Sequence, residues 1–477
     1  MRRSLLAFLI PVAALPLVPT REGGPPAAGE PHAANSDASL AVTIYNGNLG
    51  LVRDRRRIEL QSGVFTLPFP GVASQIDATS VAFQSLDDPG SVSVLEQNYE
   101  YDLLTPEALL NKYVGEEVTL YVWKDKSEVA VPARLLSTQG GAVYQIGDSI
   151  ALNPPGRVVL PALKGDLKAL PTLLWTLDSA RRGSSQVEAS YLTGGLDWKA
   201  DYVATVGADD RSLDLGGWVT LTNTSGASYP DAKLKLVAGD IHRAPLEEGQ
   251  LVAAQALRAA DAAAKASSFE ERTFFEYHLY DLPRPTTIKN NQTKQIRLLE
   301  VDGVKTAKTY TLAGAPWYYT QEYGGEKGIK VGVYQEFENT KANHLGVALP
   351  AGVVRLYKAD ADGTVQLIGE DRIDHTPRDE RLRLKVGEAF DLVAERRQTD
   401  FKVLASGHLY EEAFEVVIRN HKDEDVVVQV VEPLPGDWTM LSSSYGYDKL
   451  DAFTVRFAVP VPKGGESKLT YRIRITV

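Results

Sequence analysis

Residues 466–477 of this 477-residue chain read ESKLTYRIRITV. Apolar side chains occupy every second position from Leu469 to Val477, and polar side chains occupy the positions between them. Alternation with a period of two predicts a strand with one buried and one solvated face, as antiparallel sheets with a single buried side require. The same alternation recurs at FTVRFAV (453–459) and WKADYV (198–203). The sequence therefore predicts a mainly β protein made of antiparallel β-sandwich domains.

A second pattern, found three times, joins such strands through an Asn. An apolar strand runs into the Asn, a short polar turn follows, and a second apolar strand ends near a Gly. Asn suits this exit because it tolerates left-handed backbone and hydrogen-bonds its own turn. Three ordinary hairpins and repeated β-sandwich halves both explain the pattern. The three copies are Val219–Asn223 with Leu234–Gly239, Val333–Asn339 with Leu345–Gly352, and Phe414–Asn420 with Val426–Gly436.

Helix is predicted at two places. Thr105 stands as an N-cap before Pro106 and Glu107, which predicts a short helix over residues 105–113. Residues 247–267 are rich in Ala, the residue with the highest helix propensity, which predicts a helical insertion. The apolar side of this insertion is weak. We therefore interpret it as a structural element, either an exposed helix or a mobile insertion between strands.

The start of the chain predicts export. Arg2 and Arg3 precede an apolar run from Leu5 to Val18, which is shorter than the roughly 20 residues that a membrane-spanning helix needs. A positive start followed by a short apolar stretch is typical of a secretory signal peptide, here residues 1–20. An uncleaved anchor is the alternative. We expect a periplasmic or extracellular protein with no stable membrane span after signal removal.

Composition divides the remainder into three parts. Residues 21–38 are rich in Pro, Gly and Ala, which predicts a disordered linker. A change of composition at SARRGSS (179–185) predicts a boundary. An N-terminal β domain is then expected over 39–180, and a larger C-terminal β-sandwich region over 186–477, with the Ala-rich insertion inside it.

Bulk composition excludes several kinds of chemistry. The chain has no Cys, which excludes thiol catalysis, disulfide exchange and Cys-ligated metal sites. The formal net charge of -11 argues against nucleic acid as a partner, because phosphate binding needs a basic surface. The seven His are scattered, without the spacings of metal-binding motifs. We therefore expect no metal site and no cofactor.

An acidic run with one His is the strongest catalytic candidate in the chain. Crowded carboxylates raise one another's pKa and can act as acid and base. A solvated loop between two strands explains the same residues more simply. The core candidates are Glu370, Asp371, Asp374 and His375, followed by Asp379 and Glu380.

The stretch GAPWYYTQEYGG (314–325) crowds four aromatic residues into a Gly-rich segment. Neighbouring side chains on a strand point to opposite faces, so some of these rings are expected to be exposed. Exposed aromatic rings stack on sugars or anchor protein partners, and core packing at a sheet edge is the alternative. The candidate binding residues are Trp317, Tyr318, Tyr319 and Tyr323.

Two weaker patterns have simple structural interpretations. Arg53, Arg55 and Arg57 lie on one face of a predicted strand, so that face should be solvated or paired with acids, with an anionic glycan or lipid headgroup as the alternative. Asp360–Gly363 resembles the start of a calcium loop. The required further oxygen ligands are missing, which favours a hairpin turn.

Several segments together resemble one known family. They are YLTGGLDWKADYVATV (191–206), VTLTNTSG (219–226), LPAGVVRLYKADADG (349–363), LIGEDRIDHTPRDE (367–380) and VVEPLPGDW (430–438), joined by AVTIYNGNLGLVRDRRRIEL (41–60) and VSVLEQNYEYDLLTPEALLNKYVGEEV (92–118). These segments closely resemble the domain-of-unknown-function 4139 family, which is related to the bacterial mucoidy inhibitor A proteins. The resemblance covers nearly all of residues 39–477.

This resemblance implies a bacterial protein of the cell envelope or an exported setting. It brings no established catalytic residues. The mucoidy-inhibitor relatives carry a longer coiled-coil insertion, and the Ala-rich segment at 247–267 looks like a shortened version of it. The family name hints at surface polysaccharide, and the different insertion weakens that hint.

Three functions remain open from the sequence. The first is a non-enzymatic envelope protein that binds a protein or glycan partner. The second is a carbohydrate-active hydrolase that uses the acids of 370–380 with the aromatics of 317–323, which requires the two segments to meet. The third is a scaffold in which the Ala-rich segment mediates self-association. The oligomeric state is left open.

Overall fold

The computed structural model describes residues 38–101, 105–124, 127–162, 168–239, 269–275, 277–405 and 407–477. The predicted signal peptide (1–20), linker (21–38, save its last residue) and Ala-rich insertion (247–267) lie outside these ranges. The described residues form thirty strands, one α-helix and three short 3₁₀ turns. The chain is therefore mainly β, as the alternation predicts.

The strands of the first half are β1 (Ser39–Tyr45), β2 (Leu49–Leu60), β3 (Gly63–Pro70), β4 (Ala82–Ser85), β5 (Val92–Glu100), β6 (Glu117–Lys124), β7 (Ser127–Ser137), β8 (Val143–Ile146), β9 (Ser149–Leu152), β10 (Arg157–Val159), β11 (Thr172–Ser179), β12 (Gly183–Thr193), β13 (Leu196–Val206), β14 (Ser212–Asn223) and β15 (Tyr229–Ala238). The helix α1 spans Pro106–Lys112. The 3₁₀ turns are Ala78–Ser80, Pro316–Tyr318 and Lys341–Asn343.

The strands of the second half are β16 (Glu270–Phe274), β17 (Tyr277–Asp281), β18 (Thr286–Ile288), β19 (Gln292–Lys305), β20 (Ala307–Ala313), β21 (Glu326–Glu338), β22 (Gly352–Ala359), β23 (Val365–Ile373), β24 (Arg381–Ala405), β25 (Leu409–Asn420), β26 (Val426–Pro433), β27 (Asp437–Ser443), β28 (Tyr447–Lys449), β29 (Thr454–Val461) and β30 (Glu466–Thr476).

A first hydrophobic core is shared by three sheets. The largest has the order β16-β17-β15-β1-β2-β12-β4, with β18 also paired to β15, and the second has the order β19-β14-β13-β22-β23. The third is the small sheet β3-β11-β5. Trp175, Tyr191, Trp198 and Tyr202 lie fully buried among these sheets. The alternation at WKADYV thus marks an inner strand of this first core.

The first core crosses the boundary predicted at 179–185. Strand β12 pairs with β2 in continuous register, from Gly183 opposite Leu60 to Thr193 opposite Gly50. The SARRGSS stretch is therefore the connection between β11 and β12. It does not separate 39–180 from 186–477, because residues of both ranges share one sheet and one core.

The short helix is confirmed. The Thr105 hydroxyl accepts a hydrogen bond from the Ala108 backbone N–H at 3.0 Å, and Pro106 opens the helix. Tyr113 at the helix end is buried against the separate sheet β10-β6-β7-β8-β9. The helix thus caps a small third core.

The second hydrophobic core lies within the nine-stranded sheet β27-β30-β25-β24-β21-β20-β26-β29-β28. Its two ends supply apolar side chains to the same core, so the sheet folds over itself as a sandwich. On β30, Leu469, Tyr471, Ile473 and Ile475 are buried as the alternation predicts, whereas Val477 is 53% exposed. The strand ends at Thr476, so the last residue lies beyond the sheet.

Pairing is mostly antiparallel, with three exceptions among the described residues. Strand β1 runs parallel to β15, β13 to β22, and β20 to β26. Period-two alternation reveals which face of a strand is buried and carries no information about the direction of its neighbour. The sheets are therefore mainly antiparallel, as predicted, and these three parallel pairs lie within them.

The three Asn-terminated strands do not form hairpins. Strand β14 ends at Asn223 and the next strand, β15, lies in another sheet. The chain likewise changes sheet after Asn339, and three strands separate β25 from β26 after Asn420. All three Asn are buried, and each side-chain amide donates to backbone carbonyls of the following connection. Each Asn therefore marks a crossing, by which we mean a connection from one strand to a strand that is not its neighbour in the sheet.

Candidate functional site

The predicted aromatic residues lie on the connection from β20 to β21, which we call the aromatic segment (residues 315–323). Trp317 is 57% exposed, whereas Tyr318 and Tyr319 are buried in the second core. Tyr323 is half-buried and packs on the same core. Both sequence interpretations of the segment therefore apply: one ring is exposed, as binding requires, and the other three pack towards the core. Tyr319 supports the segment from below and does not face solvent.

Three of these rings form one compact group, the aromatic platform (Trp317, Tyr318 and Tyr323). The ring centroids of Trp317 and Tyr318 lie 4.3 Å apart at 64°, and those of Trp317 and Tyr323 lie 5.8 Å apart at 76°. Edge-to-face contacts of this kind stabilise a fixed ring orientation. Burial raises the pKa of Tyr318 and that of Tyr323, the latter to about 12, so both are neutral phenols at neutral pH.

A fully buried ion pair lies beneath the platform. Arg396 Nη2 and Glu432 Oε1 are 2.7 Å apart, and both side chains have no exposed surface. The Arg396 guanidinium also lies 4.5 Å from the Tyr318 ring centroid. Burial lowers the pKa of Arg396, but the Glu432 carboxylate more than offsets this and holds the pKa well above its ordinary value. Arg396 is therefore charged inside the second core.

Two tyrosines add hydrogen bonds to this pair, while Arg396 Nε is left without a hydrogen-bond partner among the residues that the structure describes. The Tyr319 hydroxyl donates to Glu432 Oε2 at 2.8 Å and lies 3.0 Å from the Tyr471 hydroxyl. Burial raises the pKa of both phenols far above the usual range. A side chain at Gly314 would collide with the Glu432 carboxylate, so the entry to the aromatic segment requires glycine. The segment is thus anchored through Tyr319 to buried charge.

A second buried carboxylate, Glu412, holds the backbone of the aromatic segment. Glu412 Oε1 accepts a hydrogen bond from the Thr320 N–H at 2.7 Å, and Oε2 accepts one from Gln398 Nε2 at 3.1 Å. Gln398 in turn accepts from the Tyr323 N–H at 2.9 Å and donates to the Gln321 carbonyl at 3.0 Å. We call this arrangement the Glu412–Gln398 clamp.

The two hydrogen bonds to Glu412 oppose the effect of its burial. Burial raises the pKa of Glu412 to about 7, and the hydrogen bonds from Thr320 and Gln398 lower it by less. No described residue forms an ion pair with Glu412. A carboxyl group that changes charge near neutral pH therefore touches the backbone of the exposed segment.

Sequence reasoning missed Arg396, Glu412 and Glu432. Each of these charged residues stands at an inward position of an alternating strand. On β25 the inward side chains continue from Glu412 through Phe414 and Val416, and on β26 they run through Val430 to Glu432. A charged residue at an apolar position of an alternating strand is the sequence signal that could have identified these three buried residues.

The acidic candidates are separate groups that do not share one cluster of contacts. Glu370 forms a salt bridge with Arg355 Nε at 3.0 Å, and Asp371 accepts from the Lys385 backbone N–H at 2.6 Å. Asp374 and His375 are exposed in the connection after β23, where His375 Nδ1 accepts from the Ala351 N–H at 3.1 Å. Glu370 and Asp371 lie on β23 itself, so the run is only in part the predicted loop.

The acidic residues and the aromatic platform do not meet. Asp371 contacts β24 at Lys385, where the strand borders the first core, and Tyr323 contacts it at Gln398, in the second core. These two positions are thirteen residues apart on one strand. An extended strand covers that separation in about 40 Å. The structure therefore does not support a hydrolase that combines the two segments.

The weaker sequence patterns are structural. Asp360–Gly363 is the turn between the paired strands β22 and β23, and Asp360 Oδ1 accepts from the Asp362 N–H. On the Arg face, Arg53 and Arg55 both bond to the buried Glu188, at 3.1 and 2.6 Å. The hairpin and the acid-paired face are confirmed. In the described parts of the chain, no group of three or more His, Asp or Glu is arranged to hold a metal ion.

A polar cleft of about 360 Å³ lies where the two cores adjoin. Its buried Asn343 accepts from the Lys305 N–H and donates to the Lys305 and Glu338 carbonyls. Glu336 on its wall is bonded to Arg383 at 3.0 Å. Because these groups hydrogen-bond to one another, the cleft offers a ligand fewer free contacts than the platform does.

Comparison with known proteins adds no assignment. No family model matches the chain, and no curated protein is significantly similar to it. None of the helices described in the structure is long and apolar enough to cross a membrane. The candidate site consequently stands on its own geometry: an exposed Trp on a rigid aromatic platform, anchored to buried charge.

Proposed function

We propose that this protein is an exported bacterial envelope protein that binds a glycan at the aromatic platform without changing it chemically. The observation that carries the proposal is Trp317, more than half exposed yet fixed by two neighbouring rings. The export signal predicted at residues 1–20 and the resemblance to the domain-of-unknown-function 4139 family support the envelope setting.

A pyranose ring presents an apolar face of C–H groups and a rim of hydroxyls. The flat face of Trp317 suits the first, and the exposed polar side chains of Gln321 and Glu322 suit the second. Because Trp317 is already held in place, little side-chain entropy is lost when a sugar stacks on it. The platform is thus built for recognition of a small, flat surface.

Binding without catalysis is favoured by the position of the two buried carboxylates beneath the platform. Glycoside hydrolysis uses two carboxyl groups about 5–10 Å apart on either side of the scissile bond. Glu412 and Glu432 lie fully buried beneath the platform and are already hydrogen-bonded. A sugar stacked on Trp317 does not reach them.

The test is a binding assay with purified protein and three pyranose hexasaccharides, the six-unit oligomers of glucose (cellohexaose), N-acetylglucosamine (chitohexaose) and mannuronate. We expect at least one to bind with a submillimolar Kd by calorimetry, and Trp317→Ala to weaken that binding at least tenfold. Trp123→Ala is the matched control, because Trp123 is 72% exposed on the separate small sheet. Binding unaffected by Trp317→Ala, or binding of none of the sugars, would contradict the proposal.

A protein partner is the alternative outcome of the same design. Native envelope extract passed over immobilised wild-type and Trp317→Ala protein distinguishes it. A protein captured only by the wild type, together with no hexasaccharide binding, would assign the platform to a protein partner. The export proposal is tested separately by N-terminal sequencing of the periplasmic form, which should begin after residue 20.

A further inference from the structure

We propose that the Glu412–Gln398 clamp is a proton-sensitive positioning device, which holds the aromatic platform in place while Glu412 is ionised and loosens it when Glu412 is protonated. The inference rests on the proposed function, since it assigns a regulation to the same site. Glycan binding at Trp317 is then stronger above neutral pH than below it.

The clamp acts on the backbone of the aromatic segment at three points. Glu412 accepts a hydrogen bond from the Thr320 N–H. Gln398 accepts one from the Tyr323 N–H and donates one to the Gln321 carbonyl. Tyr323 ends this stretch, and Trp317 lies three residues before it begins. Moving the backbone between them changes the angle at which the rings meet.

The arrangement is specific for the ionised carboxylate. Both oxygens of Glu412 face N–H donors, one from Thr320 and one from Gln398. A neutral carboxyl group must carry its proton on one of these oxygens, which then becomes a poor acceptor. Protonation therefore weakens one of the two bonds. Burial drives the carboxyl group towards protonation, so the change falls near neutral pH.

The other titratable groups around Glu412 are paired or stay neutral, so Glu412 is the group whose charge changes near neutral pH. From β24, Arg396 is engaged by Glu432 of β26. From β30 and the aromatic segment, Tyr471 and Tyr319 face the same cluster, and burial keeps both phenols neutral throughout the physiological range. On β25 itself, Glu411 points to the opposite face and bonds to Arg472 and Arg474 there.

The first experiment requires no ligand. The full chain is labelled with ¹⁵N at Thr and Tyr, and the Thr320 and Tyr323 amide shifts are followed from pH 5.5 to 8.5. We expect both amides to titrate with one inflection between pH 6 and 8. In Glu412→Gln, which keeps the shape and removes the proton site, the inflection should vanish.

Glu415→Gln is the control variant, because Glu415 lies on the same strand and faces outward to Lys468 and Arg397. Its amide titration should match the wild type. A flat titration in the wild type would overturn the clamp without any variant being made, and so would an inflection that persists in Glu412→Gln.

The second experiment measures hexasaccharide affinity at pH 5.5 and pH 8. The wild type and Glu415→Gln should bind at least fivefold more tightly at pH 8, and Glu412→Gln should show no such ratio. Equal affinities at both pH values in the wild type would overturn the regulation. Amides that titrate as expected in a protein that binds no sugar would support the clamp and contradict the glycan proposal.

Discussion

The two large cores of this molecule treat charge differently. On the face of strands β2 and β12 that is turned away from the first core, the buried Glu188 is neutralised by Arg53 and Arg55, whose side chains are 38% and 40% exposed. In the second core, Arg396 and Glu432 have no exposed surface at all. Hydrated partners lower the cost of a buried charge at the margin of the first core, whereas the second core bears the full cost of desolvation.

This difference indicates what each region is for. A buried ion pair is seldom a net gain in stability over apolar residues of the same size. The second core nevertheless keeps one against the Tyr318 ring, together with the buried Glu412, which bonds to the backbone of the aromatic segment. We infer that the first core serves folding, while the charges of the second core serve the position of the aromatic segment.

The largest expected effect breaks the buried pair on one side. Glu432→Ala leaves Arg396 charged and unpaired, which should lower the free energy of unfolding by about 3–5 kcal/mol. Glu188→Ala, on the outer face of the sheet that covers the first core, should cost about 1 kcal/mol, since its two arginines can turn to water. Urea unfolding measures both. Equal losses from the two variants would remove the distinction between the cores.

The next effect is a pH dependence located in the second core. Because burial raises the folded-state pKa of Glu412 to about 7, its contribution to stability is fully present below its ordinary pKa and is lost as pH rises through 7. The loss is at most about 3 kcal/mol. The wild type should therefore lose this contribution as pH rises from 5 to 8, whereas Glu412→Gln has none to lose. The free energy of unfolding of the variant minus that of the wild type should increase over that range. A constant difference over that range would contradict the raised pKa.

A smaller effect should be shared by the two cores. Asn223 and Asn420 close equivalent crossings, and each side chain donates to several buried backbone carbonyls. Replacing either by Ala leaves those carbonyls without a donor and should cost about 1–3 kcal/mol. Thermal unfolding of the two variants measures this. A loss confined to one of them would show that the crossings are not equivalent.

The smallest effect on stability is expected at the exposed ring. Trp317→Ala should change the free energy of unfolding by less than about 0.5 kcal/mol, as surface substitutions commonly do. Trp198→Ala in the first core should cost about 3–5 kcal/mol. A large loss of stability from Trp317→Ala would mean that Trp317 is a packing residue, and its exposure would then carry no functional weight.

Local patterns in the sequence predicted the strand faces and the short helix correctly. Alternation marks the inner residues of β13 and β30, and capping by Thr105 marks α1, because both depend on neighbours within a few positions. Which strands pair is decided by contacts far apart in sequence. The boundary at 179–185 was therefore wrong. Of the two interpretations of the Asn pattern, three ordinary hairpins was the wrong one.

The same division between local patterns and distant contacts applies to the candidate site: its aromatic residues could be predicted from the sequence, and the groups that anchor them could not. A crowded run of aromatic residues on a short segment must expose some of them, and Trp317 is the exposed one. The anchoring groups come from three other strands, and Arg396 sits in the polar stretch ERRQTD (395–400), which suggests surface. Only the inward phase of each strand distinguishes Arg396, Glu412 and Glu432 from solvated charges.

The most direct measurement replaces the buried pair by apolar residues and asks what is lost. In Arg396→Met/Glu432→Leu no unpaired charge remains, so the free energy of unfolding should stay within about 1 kcal/mol of the wild type. Because Tyr319 loses its carboxylate partner, we expect the hexasaccharide affinity at Trp317 to fall at least tenfold. A stable double variant with wild-type affinity would contradict the claim that the buried charges hold the platform.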